Sequence, residues 1–77
     1  MPTIKIFGDC AIVINPRDHL SPHFHVIFRD GQRCSIAIAS LAVIAGSATP
    51  ARRLSEALAW AQDNRALLQA RWEEIHR

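Results

Sequence analysis

Two short apolar runs open the chain, Ile4-Lys5-Ile6-Phe7 and Cys10-Ala11-Ile12-Val13-Ile14, and Gly8-Asp9 separates them. Both runs are rich in β-branched residues, and Gly-Asp is turn chemistry, so the pair predicts a hairpin. Asn15-Pro16-Arg17-Asp18 then breaks the pattern: Pro16 fixes φ, and Asn and Asp side chains bond nearby backbone. The loop continues to Ser21-Pro22, where the proline holds Ser21 extended. His23 to Phe28 predicts a third strand. Alternation puts Phe24, Val26 and Phe28 on one face and His23, His25 and Ile27 on the other. The simplest arrangement buries the aromatic face and presents the histidines. Asp30-Gly31 signals a tight turn into a returning strand, Arg33 to Ala39, with Cys34, Ile36 and Ile38 on one side. Ser40-Leu41 turns the chain again. Ala42 to Ala45 is a candidate fifth strand ended by Gly46, although periodicity also admits a helical turn there.

The period changes after Gly46. Thr49 suits a helix N-cap and Pro50 the first helical position. From Pro50 to Ile75 the residues Leu54, Leu58, Ala61, Leu68, Trp72 and Ile75 recur at spacings of three, four and seven. Ala57, Trp60 and Leu67 widen this stripe, and Arg65 interrupts it. Asp63-Asn64 are good N-caps and poor helix-interior residues, so they mark a kink or a break between two helices. An unbroken helix of this length would overhang so small a sheet.

The length of 77 residues fits one domain, 1–77, that buries roughly 60% of its unfolded surface and so gains from a partner or an oligomer. A hydrophobic content of 49% argues against disorder. The start lacks a basic region followed by an apolar core, and the longest apolar-rich stretch, Ile36 to Ala45, is too short to span a bilayer. A cytoplasmic chain with no membrane association is expected. Cys10 and Cys34 should then be reduced packing residues. The net charge of +2 is compatible with RNA without demanding it.

Three of the four histidines fall within seven positions: His19, His23 and His25. An H-x-H pair on a strand sends both imidazoles to one face, about 7 Å apart at Cα. Two chemistries fit. Imidazole exchanges protons near neutral pH, so one ring can take a proton from a ribose 2′-hydroxyl while another returns one to the leaving oxygen. A neighbouring arginine would stabilise the phosphorane-like charge, and Arg17, Arg29 and Arg33 lie near the motif or in its hairpin. Arg52 and Arg53 stand at the start of the helix, where cations oppose the helix dipole, so a phosphate or an acidic partner is expected there. Alternatively, His19, His23 and His25 could hold zinc with an open fourth position, Asp18 serving as a ligand or fixing an imidazole tautomer. Trp60 and Trp72 belong to the apolar stripe and read as core or interface. There is no phosphate-binding glycine loop and no Cys-x-x-Cys pair.

Taken together, Met1-Pro2-Thr3-Ile4, Asp18-His19-x-x-Pro22-His23-Phe24-His25, Gly46, Leu58-x-Trp60 and Leu67-Leu68-x-x-x-Trp72 resemble a family of small bacterial proteins known as domain of unknown function 4160. The resemblance covers essentially the whole chain, and the histidine motif is its most specific part. Ser21-Pro22 stands where the family usually has two prolines, and Gly46-Ser47-Ala48-Thr49-Pro50 where it often has Gly-x-Leu-Pro. The family's genes commonly lie beside a gene for a second small domain, a layout resembling toxin–antitoxin pairs. The resemblance therefore implies a toxin-like or a partner-bound role. It carries over no catalytic residue: His19, Pro22, His23, Phe24 and His25 match the motif only.

The expected fold is α+β: an antiparallel sheet of four or five strands, then one kinked or two C-terminal helices packed on one face. The leading function is the small component of a bacterial toxin–antitoxin-like module with histidine-dependent ribonuclease activity through His19, His23 and His25. The rivals are a non-enzymatic interaction module and a histidine-ligated metal domain. A cognate small protein or a second copy is the expected partner, with RNA as the candidate substrate.

Overall fold

The structure is a computed structural model that describes residues 2–17 and 21–76. Five strands, β1 (Thr3–Ile6), β2 (Cys10–Val13), β3 (His23–Phe28), β4 (Arg33–Ala37) and β5 (Val43–Ser47), form one antiparallel sheet in sequence order. A 3₁₀ turn (Ala51–Leu54) leads into α1 (Ser55–Asp63) and α2 (Arg65–Ile75). The arrangement is α+β, as the pattern predicts.

Period-2 alternation explains which face of the sheet is covered. In the β2–β3–β4 register Cys10 sits opposite Phe28, Ile12 opposite Val26, Phe24 opposite Ile36 and Val26 opposite Cys34. These side chains share one face, and all are buried with Ala57, Ala61, Leu68 and Trp72 of the helices. Ile12, Phe24, Val26, Ile36 and Leu68 have no exposed surface. Each such side chain contributes about 1.5–3 kcal/mol on burial, so this layer dominates the stability of so short a chain. Cys10 and Cys34 are free thiols in that layer, and burial pushes both thiol pKa values up. They are packing residues, as expected.

Two boundaries differ from the sequence expectation, and a third agrees with it. The fifth strand does not stop at Gly46 but runs to Ser47. Gly46 has φ +71°, and a Cβ there would run into the Arg33 carbonyl, so glycine is what lets β5 approach β4. The helical segment starts later than Pro50. Pro50 stays extended, Ala51–Leu54 form a 3₁₀ turn, and the Thr49 N–H donates to Gln32 Oε1 rather than opening a helix. The break near Asp63-Asn64 is real and gives two helices. Asn64 leaves helical geometry at φ −123°, and its Nδ2 donates backwards to the Trp60 carbonyl. It therefore closes α1 and does not cap α2 through its side chain.

The helices lie across the sheet by specific contacts. The Phe7 ring meets Trp60 edge-on at 6.4 Å, and Arg65 Nε donates to the Ile38 carbonyl just beyond β4. This bond gives the arginine that interrupts the apolar stripe a partner on the sheet. Among the described residues no helix is long and apolar enough to cross a membrane.

Candidate functional site

The H-x-H pair sits on β3, and alternation does place both rings on the side opposite Phe24. The two rings meet edge-on, 5.2 Å between centres. Their exposure differs, contrary to the expectation that both would be presented. His23 is 4% exposed, whereas His25 is half-buried. The cause is α2. Its Trp72 ring lies 5.2 Å from the His23 ring, at the end of the sheet where β3 starts and β4 ends. Trp72 is in turn stacked on His76, 3.7 Å between centres. A row of four rings, His25, His23, Trp72 and His76, therefore runs from the sheet to the end of α2.

Neighbouring groups fix the direction of two of these imidazoles. His23 Nδ1 lies 2.8 Å from the Ser21 carbonyl. A carbonyl only accepts, so Nδ1 carries the hydrogen and Nε2 is the accepting nitrogen of the neutral ring. His76 Nδ1 donates in the same way to the Trp72 carbonyl at 2.9 Å. His25 differs: its Nδ1 lies 3.0 Å from the Ser35 hydroxyl, which can donate or accept. Ser35 is directly opposite His25 in the β3–β4 register.

His25 and Ser35 border an open hollow of ≈ 180 Å³, completed by Arg33, Cys34, Ala45 and Gly46. Arg33 stands two residues from Ser35 on the same face and opposite Ser47 of β5. The hollow thus combines a cation, a hydroxyl and an imidazole, a donor set suited to an oxyanion.

The other predicted site residues fall elsewhere. His19, like Asp18, lies outside the described residues. Arg17 is exposed on the loop, where its N–H donates to Asn15 Oδ1. Arg29 and Arg52 are exposed, Arg29 just after β3 and Arg52 in the 3₁₀ turn. Arg53 is held internally. Its guanidinium bonds Asp9 and Asp30, each at 2.8 Å, and lies 4.3 Å from the centre of the Phe28 ring. These bonds raise the arginine pKa and hold the Asp30 carboxyl below the usual carboxylate range. Arg53 thereby ties two hairpin turns to the start of the helical segment, and its donors point at carboxylates and not at the hollow. Of the predicted residues, the fold brings His25 and Arg33 to the hollow and sets His23 against His25. Among the described residues no group of three His, Cys, Asp or Glu side chains is placed to hold a metal ion.

Sequence reasoning passed over Ser35, His76 and the direct role of Trp72. The spacing of His76 four residues after Trp72 was a usable signal, since such residues are neighbours on a helix. The pairing of Ser35 with His25 depended on hairpin register, which Asp30-Gly31 supplied in principle.

A family model described as Domain of unknown function (DUF4160) matches residues 11–73. That span includes every residue of the hollow and the His23–Trp72 contact. No curated protein and no solved structure matches the chain.

Proposed function

The chain belongs to the domain of unknown function 4160 family, and on that premise we propose that it is the small component of a bacterial toxin–antitoxin-like module whose histidine face acts on RNA. The observation that carries this reading is the meeting of His25, Ser35 and Arg33 at one open hollow, with His23 edge-on behind His25. Phosphodiester cleavage needs proton transfer and neutralisation of charge on phosphate. His25 is half-buried and borders the hollow, so it is the imidazole that meets the substrate. Arg33 is exposed beside it and anchors the phosphate. His23, with Nε2 as its accepting nitrogen, backs His25 from within.

The test is induced expression in a bacterial host at matched protein levels, comparing the unmodified chain with His25→Ala and Arg33→Ala. Growth arrest with RNA loss that both substitutions abolish is the expected result. Arrest without RNA loss removes the nuclease and keeps the toxin. RNA loss that persists in His25→Ala removes the histidine mechanism.

A non-enzymatic interaction module is the second reading. It is favoured by apolar side chains exposed on both edge strands: Ile6 at 71%, Val43 at 46% and Ile44 at 52%. Sheet edges carrying such side chains are ready templates for pairing with another chain. Partner binding unaffected by His25→Ala, with no arrest from any variant, would establish it.

A further inference from the structure

We propose that β5 is a self-pairing edge: the β5 strands of two copies of this chain pair antiparallel and join two five-stranded sheets into one. Self-pairing rests on the reading of the sheet edges as pairing templates and is independent of the ribonuclease reading. The two edges are not alike. β1 carries the exposed Lys5 and a break in register between Thr3 and Lys5, two features that keep an edge strand from pairing. β5 also has a break in register, between the partners of Ser35 and Ile36, which leaves Ile44 without an opposite residue. No charge accompanies it. From Cys34 to Ala51 there is no Asp, Glu, Lys, Arg or His. All five residues of β5 are exposed, the large apolar Val43 and Ile44 included. Beyond β5 the sheet has no further strand among the described residues, so the outer backbone groups of β5 have no ladder to join.

Charge selects the occupant. A partner recognised by complementary charge finds nothing on β5 to read. A second copy finds an uncharged strand and sets no like charges opposite each other. Arg33 of β4, opposite Ser47, is the charged residue that pairs with β5. In the joined sheet the two Arg33 backbones are three strand spacings apart, about 14 Å, beyond the screening length of about 8 Å at physiological salt. Antiparallel pairing of identical strands is isologous, with its two-fold axis normal to the sheet. That axis keeps each face on its own side. Both sets of helices then cover one face, and both hollows open on the other, one on each flank of the seam. Ala45 and Gly46 line each hollow, so the seam runs beside both. Two strands of five residues make a contact at the small end of interface sizes, so the dimer forms and separates with concentration.

The test is sedimentation equilibrium of the full chain over a dilution series from sub-micromolar to submillimolar. The average mass should climb from that of one chain towards that of two. Ile44→Lys sets like charges at the seam and should raise the dissociation constant several-fold. Ile6→Lys, on β1, is the control and should leave it unchanged. Circular dichroism melts show whether each variant folds. Amide hydrogen exchange of the unmodified chain should slow in β5 as concentration rises and stay constant in β1, and this decides the matter should Ile44→Lys fail to fold. A chain that stays monomeric throughout overturns the proposal, while a different protein partner and the ribonuclease reading survive that result. A dimer weakened by Ile6→Lys and not by Ile44→Lys overturns it too, as do β5 amides whose exchange ignores concentration. Growth in mass past two copies does the same, since a two-fold contact closes.

Discussion

Gly46→Ala tests how β5 is held against β4, and through it the wall of the candidate site. Two terms add. The first is conformational: φ is +71°, and a side chain in that region costs about 1–2 kcal/mol. The second is contact: the new Cβ meets the Arg33 carbonyl and approaches Cys34 Cα to 3.0 Å. Those are backbone atoms that cannot rotate away, and overpacking of this kind costs about 1–3 kcal/mol. Alanine also restricts the unfolded chain, which returns about 0.4–1 kcal/mol. The net loss is about 1–5 kcal/mol, against a total stability of about 4–12 kcal/mol for a chain of this length. Gly31→Ala is the control. Its φ is +96°, but a Cβ there has nothing within 4 Å, so only the conformational term applies. Urea unfolding followed by circular dichroism gives both values. If Gly46→Ala costs no more than Gly31→Ala, to within about 0.5 kcal/mol, the close-approach argument is refuted.

Three further outcomes follow from the packing and electrostatics. Leu68→Ala should cost about 2–5 kcal/mol in the same assay, because Leu68 is fully buried between α2 and the sheet. Asp30→Asn should destabilise the chain at neutral pH, and the gap should close in acid. The Arg53 hydrogen bond lowers the folded pKa of Asp30 below its ordinary 3.8, so its contribution is present above that value. It is lost as pH falls through the lower folded value. A gap that persists unchanged in urea titrations down to pH 2 would contradict that sign. Cys10 and Cys34 should resist a thiol reagent in the folded protein and react on unfolding, since burial both shields them and disfavours the thiolate. Rapid labelling of either thiol under native conditions would disprove their packing role.

The strand faces were readable because alternation is a local property: Phe24, Val26 and Phe28 point into the core wherever the helices come from. The helical stripe was readable for the same reason, and Leu54, Ala61, Leu68 and Trp72 are all buried. What could not be read depends on distant partners. His23 and His25 are equivalent in the β3 pattern, and Trp72, almost fifty positions later, packs against His23. Arg53 at a helix start pointed to phosphate or an acidic partner without saying which, and Asp9 and Asp30 claim it from 44 and 23 residues away. Gly46 read as a terminator, because the sequence shows the missing side chain and not the carbonyl that requires its absence. Asn64 was correctly marked as a break, but its side chain serves the helix before it.

The strand order has a consequence for how the chain comes to exist. Every strand pairs with its immediate neighbour in sequence, so no ladder has to close across an intervening strand. Such local topologies fold quickly, because little loop-closure entropy precedes each contact. During synthesis the five strands can therefore pair as they emerge, N-terminal hairpin first. The ring that covers His23 belongs to α2 and arrives after all of them. The order of the elements thus puts every residue of the hollow ahead of Trp72, the ring that packs against His23.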